Sequence, residues 1–531
     1  MRKAPASILR ASTRRRLNHR HLASAAVAET APTVQITTLP NKIRVATENS
    51  PGHFSSVGLY VDAGSRYETP LTSGVSHFLD RMAFKSTLNR SDEQMANDIH
   101  MLGGQIMCSS SREAVMYQSS HAHSGTPLAL SLIADTVLNP AFQHDELMAQ
   151  HDAASYEIRE ISSKPEMFIP EVVHNVAYNN TGLGNPLLCP EERISAMNDA
   201  LLRATMQDWY RPERMVIAGA GMSHEQLVEL TDKYFSSLKA SPAVEDAVSP
   251  LSRLGGGTSS ANPSAPPHIL NPTSPGLTKP FTRAASYLFP QSQSTGRAAK
   301  SPTSTYTGGH RFIHDPKQEL DHLYIAFEGV GINDDDVYTM AVMQVLLGGG
   351  GSFSAGGPGK GMYSRLYTHI LNHYTQIDHC ASFHHIYNDS SLFGLFASFL
   401  PAASGVAGGS TGSQILPHLV HQLSLLIYSP VPEQELRRAR NQLSSSLMMA
   451  LESRAVEVED LGRQVLVHNR KVPVGEMTEK IEQVTAADVR RVAAKLFAPD
   501  SNSRPTVVAM GHEDVGPYKD VFAKYGVAGG P

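Results

Sequence analysis

The most informative stretch of this chain is Gly74-Val75-Ser76-His77-Phe78-Leu79-Asp80-Arg81-Met82-Ala83-Phe84. Its spacing is that of an inverted zinc motif, His-x-x-Glu-His, in which both histidines share one helix face and the glutamate is the general base. His77 keeps the first ligand position, Asp80 takes the base position and Arg81 takes the second ligand position. Arginine stays protonated and offers no lone pair to Zn²⁺. The stretch therefore predicts a helix with the frame of a metallopeptidase site but without its metal.

This run resembles the zinc helix of the pitrilysin-type metallopeptidases, in which a distant glutamate supplies the third ligand. Glu157 lies 76 residues after Arg81, where that ligand is expected. Lys164–Glu166 and Thr181–Pro190 resemble one branch of the family. Matching stretches run from about Val34 to the C-terminus, apart from a middle linker, so the resemblance covers most of the chain.

Members of that branch are non-catalytic subunits that bind the basic presequences of imported mitochondrial precursors, which a zinc-bearing β-subunit then cleaves. The resemblance therefore implies a heterodimer in the mitochondrial matrix, with zinc in the partner and no metal, cofactor or catalytic residue in this chain. The degenerate motif consists of His77, Asp80, Arg81 and Glu157. From charge alone, we expect Arg81 to fill the vacated metal position and to pair with Glu157 or Asp80.

Two other functions compete with this interpretation. A structural core subunit of respiratory complex III has the same fold and also lacks intact zinc motifs, and association with that complex stays open. A stand-alone metallopeptidase is the second rival, and Arg81 argues against it.

Composition describes an ordinary globular chain, with 41% apolar and 18% charged residues among 531. This length predicts two to four domains. No run of eighteen apolar residues occurs, so no membrane span is expected. The sparse cysteines, Cys108, Cys189 and Cys380, form no C-x-x-C pair, which indicates a reducing compartment.

The first thirty residues differ from the rest, because they are rich in Arg, Ala and Ser and contain a single acid, Glu29. This composition is typical of a mitochondrial transit peptide, and a basic nucleic-acid-binding arm is the alternative. The whole chain has 45 basic and 50 acidic residues. Removal of the first thirty residues would take away mainly basic side chains and leave the body with a larger excess of acids. The seven basic residues are Arg2, Lys3, Arg10, Arg14, Arg15, Arg16 and Arg20.

The body of the chain looks duplicated. Each half begins with a β-rich run, at Val57–Val61 and His322–Phe327, which is followed by a helical pattern. Each half closes on another β-rich run, at Met215–Gly219 and Thr506–Gly511, and the two closing runs lie 291 residues apart. A repeat of that length indicates two similar domains and not a solenoid.

We therefore predict an α+β fold of two similar domains, each a mostly antiparallel sheet covered by helices on one side. The resemblance adds that they enclose a cavity. The Pro/Ser/Gly-rich composition between the halves predicts a flexible linker. The predicted boundaries are a transit peptide at 1–30, an N-terminal domain at 33–240, a linker at 241–305 and a C-terminal domain at 306–531.

A glycine-rich segment follows an apolar helical pattern that ends at Leu347. A phosphate-binding P-loop would need G-x-x-x-x-G-K-[ST], but Lys360 is followed by Gly361, and Ser354 takes the first glycine position. A surface loop without function and a mobile flap that contacts an extended peptide are the other interpretations. The run is similar to the loop with which the branch engages presequences, and it lies between helices. The resemblance makes these residues substrate-binding: Gly348, Gly349, Gly350, Gly351, Ser352, Phe353, Ser354, Gly356, Gly357, Pro358, Gly359, Lys360 and Gly361.

Two further groups of side chains invite functional interpretations. A set of histidines in β-like stretches lacks carboxylate or thiol companions at a ligand spacing, so we expect ordinary packing or surface roles. A set of acids in a long helical region is expected on a solvated face, with pairing to presequence arginines as the alternative. The histidines are His121, His123, His379, His384 and His385. The acids are Glu433, Glu435, Glu457, Glu459 and Asp460.

Overall fold

The structure, a computed structural model, describes residues 34–240, 304–351, 362–402 and 408–530. The predicted transit peptide, most of the predicted linker and Ser352–Gly361 lie outside the described residues. In the described part of the chain, no helix has the length and apolarity needed to cross a membrane.

Strands and helices alternate irregularly along both halves. The strands are β1 (Val34–Thr38), β2 (Arg44–Glu48), β3 (Phe54–Val61), β4 (Gln105–Ser110), β5 (Val115–Ala122), β6 (Met215–Ala220), β7 (Gly309–His314), β8 (Asp321–Val330), β9 (Gly349–Gly351), β10 (Ile377–Ile386), β11 (Ser390–Phe399) and β12 (Thr506–Gly511). The helices are α1 (Val75–Arg81), α2 (Asp92–Leu102), α3 (Thr126–Leu138), α4 (His144–Ser162), α5 (Pro165–Ala177), α6 (Asp199–Trp209), α7 (His224–Phe235), α8 (Asp336–Leu347), α9 (Gly412–Tyr428), α10 (Glu433–Leu451), α11 (Arg454–His468), α12 (Val474–Gln483), α13 (Ala486–Phe497) and α14 (Tyr518–Lys524).

Each half contains a six-stranded sheet, and five strands of each sheet share one topology, with the sixth strand, β1 or β9, added at opposite edges. The N-terminal sheet has the order β1-β2-β6-β3-β5-β4, and the C-terminal sheet has the order β7-β12-β8-β11-β10-β9. Neighbouring strands are antiparallel except β2 with β6 and β7 with β12. The closing strand of each half therefore lies between a parallel and an antiparallel neighbour. The predictions of an internal duplication and of two mostly antiparallel sheets packed with helices are confirmed.

The prediction that helices cover only one side of each sheet is wrong. Side chains on one face of β6, such as Ile217, join the core of their own half, whereas Val216 and Ala218 join a cluster with Leu461 and Val465 of α11. The sheet of the N-terminal half is thus covered on its second face by a helix of the C-terminal half. All six residues of β6 are buried, as expected for a strand with no polar face.

The reciprocal contact is made by α5, which belongs to the N-terminal half and covers the C-terminal sheet. Ile169, Val172 and Val173 of this helix pack with Tyr324 of β8 and Val508 of β12. All six residues of β12 are buried as well. The central strands β6 and β12 are therefore buried on both faces of their sheets, and each half supplies one helix to the other.

Buried charges accompany these contacts, and for Glu457 and Asp460 they correct the prediction of a solvated face, whereas Glu433 of α10 is exposed as predicted. Glu457 and Asp460 of α11 are buried. Glu457 contacts Arg454, and Asp460 contacts the buried Lys471. Lys471 also lies 3.4 Å from Glu48 of β2. These acids are paired inside the contact between α11 and the N-terminal sheet. They are buried because they flank the apolar residues of α11 that pack on the sheet.

A glycine in α11 allows the close contact with the N-terminal sheet, and its replacement tests the packing. A methyl group at Gly462 would lie 2.2 Å from the Tyr60 ring, which is held by a hydrogen bond from its hydroxyl to Gln118. We expect Gly462→Ala to destabilise the protein by about 1–3 kcal/mol, although alanine favours helices. The matched control is Gly475→Ala in α12, where the added methyl meets no atom within 4 Å.

The measurement is the midpoint of thermal unfolding for both variants and the unaltered chain. The control is expected to be neutral, or more stable by up to about 1 kcal/mol. If both variants unfold at the same temperature, the close approach of α11 to Tyr60 does not limit stability.

Candidate functional site

Helix α1 carries the degenerate zinc motif and begins at a strained position. Gly74 precedes it with φ of 93°, and a side chain there would collide with Cys189. The carboxylate of Glu68 accepts hydrogen bonds from the backbone N–H groups of Gly74 and Ser76, both at 2.8 Å. These N–H groups lie at the N-terminus of the helix and have no partner within it. Burial raises the pKa of Glu68 to about 7, against the effect of these hydrogen bonds.

His77 and Arg81 stand one turn apart on α1 and meet Glu157, which α4 supplies. One carboxylate oxygen of Glu157 pairs with the Arg81 guanidinium and lies 3.2 Å from Nε2 of His77. The structure therefore brings three positions of the expected frame together. Of the two acids considered as partners for Arg81, the contact is made by Glu157.

The hydrogen bonds of His77 decide which ring nitrogen carries the proton. The backbone N–H of Cys189 points at Nδ1 over 3.2 Å, and an amide N–H can only donate. Nδ1 is therefore an acceptor, and we assign the proton to Nε2, which donates it to Glu157. The nitrogen that faces the old metal position thus has no lone pair to offer.

Asp80, at the general-base position, is turned towards the sheet. Its carboxylate accepts hydrogen bonds from the backbone N–H of Ser110 at 2.8 Å and from the Ser110 hydroxyl at 3.2 Å, at the end of β4. Burial raises the pKa of Asp80, and the hydrogen bonds from Ser110 oppose that effect. A general base needs hydrogen-bond reach to the water it deprotonates, whereas Asp80 is engaged in holding α1 against β4.

The donor set does not fit a catalytic zinc ion. Such a site uses three protein ligands and one open position for water, and here Arg81 takes the place of one ligand. In the residues that the structure describes, no group of three or more His, Cys, Asp or Glu side chains is arranged to hold a metal. Burial would raise the pKa of Glu157, but the hydrogen bond from His77 and the charge of Arg81 outweigh it and lower the pKa.

The glycine-rich segment begins as a strand, so the prediction of a loop between helices is wrong for its first residues. Gly349–Gly351 form β9, which pairs antiparallel with Ala381–His379 of β10 at the edge of the C-terminal sheet. A side chain at Gly349, where φ is 105°, would lie 2.1 Å from the carbonyl oxygen of Cys380. Only glycine permits this approach, and a glycine run carries no other signal for a strand. The other proposed binding residues, Ser352–Gly361, lie outside the described part.

The residues that follow the glycine-rich segment are anchored by a pair that the sequence interpretation missed. Arg365 is buried, and its Nε donates to the Glu435 carboxylate over 2.8 Å. Glu435 was predicted on a solvated face of α10. Arg365 and Glu435 are 70 residues apart, and no sequence pattern relates them, so this contact could not be identified from the sequence.

Comparisons with known proteins agree with this geometry. The family model described as "Insulinase (Peptidase family M16)" matches residues 44–191, and the model described as "Peptidase M16 inactive domain" matches residues 197–443. Two solved structures share the fold at a TM-score of 0.70. One is a chain of complex III2 from Candida albicans, which is 17% identical and covers 93% of this chain and 100% of its own. The other is a protease from Helicobacter pylori, which is 18% identical, with coverage of 90% and 99%.

Similar proteins of known name indicate to which branch of the family the chain belongs. The mitochondrial-processing peptidase subunit alpha of Neurospora crassa is 43% identical over 92% of this chain and 89% of its own length. The protein of the same name from Homo sapiens is 32% identical, with coverage of 90% and 82%. That from Solanum tuberosum is 34% identical, with coverage of 87% and 80%. The chain therefore belongs to the M16 peptidase family and, within it, to the α subunits of mitochondrial processing peptidases.

Proposed function

We propose that this chain is the non-catalytic subunit of a mitochondrial processing peptidase that recognises the substrate. It binds basic presequences so that a zinc-bearing β-subunit cleaves them in the mitochondrial matrix. The observation that carries the proposal is the contact of Arg81 and His77 with Glu157, which occupies the metal position with an ion pair. A chain that keeps the frame without water-activating groups can bind a peptide but needs a partner for hydrolysis.

Substrate recognition is assigned to the glycine-rich segment and to the acidic character of the chain. The part of the segment that the structure describes includes β9, which forms one edge of the C-terminal sheet. The excess of acidic over basic residues favours the approach of basic peptides. We further propose that residues 1–30 direct import and are removed, and that residues 241–305 link domains at 33–240 and 306–531.

A structural role in complex III is supported only by the shared fold, since the similarity to the Candida albicans chain is 17% identity. The relatives at 32–43% identity carry the name of the processing peptidase. We therefore favour presequence recognition over the structural role.

The first prediction from this proposal concerns which chain performs the hydrolysis. The chain isolated from mitochondria is expected to have lost its arginine-rich N-terminal segment, so that it does not begin at Met1 or Arg2. It should bind an arginine-containing presequence peptide without cleaving it. Added to a β-subunit with an intact His-x-x-Glu-His motif, it should support cleavage. Asp80→Asn should change the rate of the pair much less than replacement of the partner's motif glutamate, because Asp80 is held by Ser110. The measurements are N-terminal sequencing, peptide binding and a chelator-controlled cleavage assay.

Two results would contradict the proposal. One is chelator-sensitive cleavage by the highly purified single chain, which would make it a stand-alone peptidase. The other is co-purification with membrane complex III and no presequence binding, which would favour the structural role.

The second prediction concerns the metal position. Arg81→His removes the guanidinium and places an imidazole one turn after His77, which with Glu157 makes a set of three ligands. We expect this variant to retain about one zinc per chain after desalting, because His77 can release its Nε2 proton on metal binding. The unaltered chain and Arg81→Gln, which loses the charge without gaining a ligand, should retain almost none. Metal analysis, with circular dichroism as a check on folding, decides between these outcomes; tight zinc in the unaltered chain would refute the prediction.

The third prediction concerns the glycine-rich segment. Deletion of residues 352–361 leaves the residues of β9 in place and is expected to weaken presequence binding about tenfold or more. Little change in thermal stability is expected, because most of the deleted residues are glycine or serine, which have little apolar side chain to bury. The matched control deletes ten residues, 255–264, from the predicted linker. Peptide affinity is measured on the reconstituted dimer, with gel filtration as a check on assembly. Equal affinities of the two deletion variants in intact dimers would remove the segment from substrate recognition.

A further inference from the structure

A groove of about 490 Å³ lies between β1 and α7. The strand β1 forms one edge of the N-terminal sheet, and β4, which holds Asp80, forms the other. Because neighbouring strands are about 4.8 Å apart, five spacings separate the groove from β4 by about 24 Å. The groove is therefore separate from the place where Asp80 of α1 is held against β4.

The floor of the groove is apolar and firmly held. Leu39 is buried in the N-terminal core, and Val228 of α7 packs against the same core. The imidazole of His224 fixes the two walls, since its nitrogens lie 2.7 Å from the Thr37 hydroxyl of β1 and 2.8 Å from the Thr47 hydroxyl of β2. An apolar segment placed here would gain burial without first having to open the fold.

The rim of the groove carries a row of carboxylates. Glu225, Glu229 and Asp232 lie on one face of α7, four and three residues apart, and all three are exposed. The row spans about 10 Å along the helix. In the described part of the chain, no ion pair joins these carboxylates to a basic side chain. An apolar floor beside such a row is complementary to a peptide with arginines one helical turn apart and apolar residues between them.

We propose that this groove is a second presequence-binding surface, which takes the basic amphipathic part of the peptide away from the cleavage site. The inference rests on the proposed function, because that function supplies peptides of this chemistry. The apolar side chains of the peptide pack on Leu39 and Val228, and its arginines lie along the acidic row. Exposed ion pairs are individually weak and screened by salt, so the row orients the peptide and speeds its capture.

The test uses the reconstituted dimer and a fluorescent twenty-residue amphipathic peptide with arginine at every fourth position. The groove variant is Glu225→Gln with Glu229→Gln and Asp232→Asn. The matched control has the same change in charge at exposed carboxylates elsewhere, Glu93→Gln with Glu479→Gln and Glu482→Gln. We expect the groove variant to bind the peptide about 5- to 30-fold more weakly at low salt, and the control to stay within about twofold of the unaltered dimer. At high salt the difference should largely disappear.

A photoreactive group on the apolar face of the peptide provides a second readout. Cross-links to residues 37–40 and 224–232 would support the groove. Cross-links confined to the C-terminal half, or equal loss of affinity in both triple variants, would overturn it. Loss of dimer formation by the groove variant would also overturn the inference, because the groove would then contact the partner subunit. The inference would likewise be overturned if peptide binding appeared only after removal of residues 1–33, because the groove would then be the binding site of that segment.

The outcomes separate this inference from the proposed function. If the unaltered dimer binds no peptide, presequence recognition itself fails. If it binds the peptide and the groove variant binds equally well, the groove alone fails.

Discussion

The reciprocal exchange of one helix between the two halves is the contact on which the rest of the structure depends. Because α11 covers the second face of the N-terminal sheet and α5 covers that of the C-terminal sheet, neither half buries all of its apolar strands by itself. The side chains Tyr60 and Val216 would face water without α11. This interdependence fixes the halves relative to each other, and it is tightened by buried charges such as Arg66, which pairs with Glu113 of its own half and Asp389 of the other.

Within that frame, α1 keeps its contact with the helix that carries Glu157, although an arginine takes one position of the zinc motif. A zinc ion ties an α1-type helix to the helix that carries the third ligand, and here the contact between Arg81 and Glu157 ties α1 to α4 instead. The proton on Nε2 of His77 adds a second hydrogen bond to the same carboxylate. The site has thus become a structural contact, and the apparatus for activating water is absent from these residues.

Much of the fold and the identity of the degenerate site were predictable from local patterns. The strand runs around Leu59, Ile325, Val216 and Val508 follow from β-branched and apolar content, and their recurrence predicts the duplication that both sheets display. The loss of one ligand position of the zinc motif follows from Arg81 alone, because a guanidinium cannot ligate a metal in any fold. These inferences hold because they depend on single residues or on short periodic runs.

The tertiary structure decided what depends on pairing between distant residues. The burial of Glu457 and Asp460, the strand at Gly349–Gly351 and the tautomer of His77 all depend on partners far away in the chain. The sequence of a polar helix face predicts exposure to solvent, although a sheet of the other half covers it here. A glycine run has no strand propensity of its own. The sequence by itself therefore determined the family, the duplication and the lost metal ligand. Only the packing of the two halves decided which charges are buried, because burial is a property of contacts and not of composition.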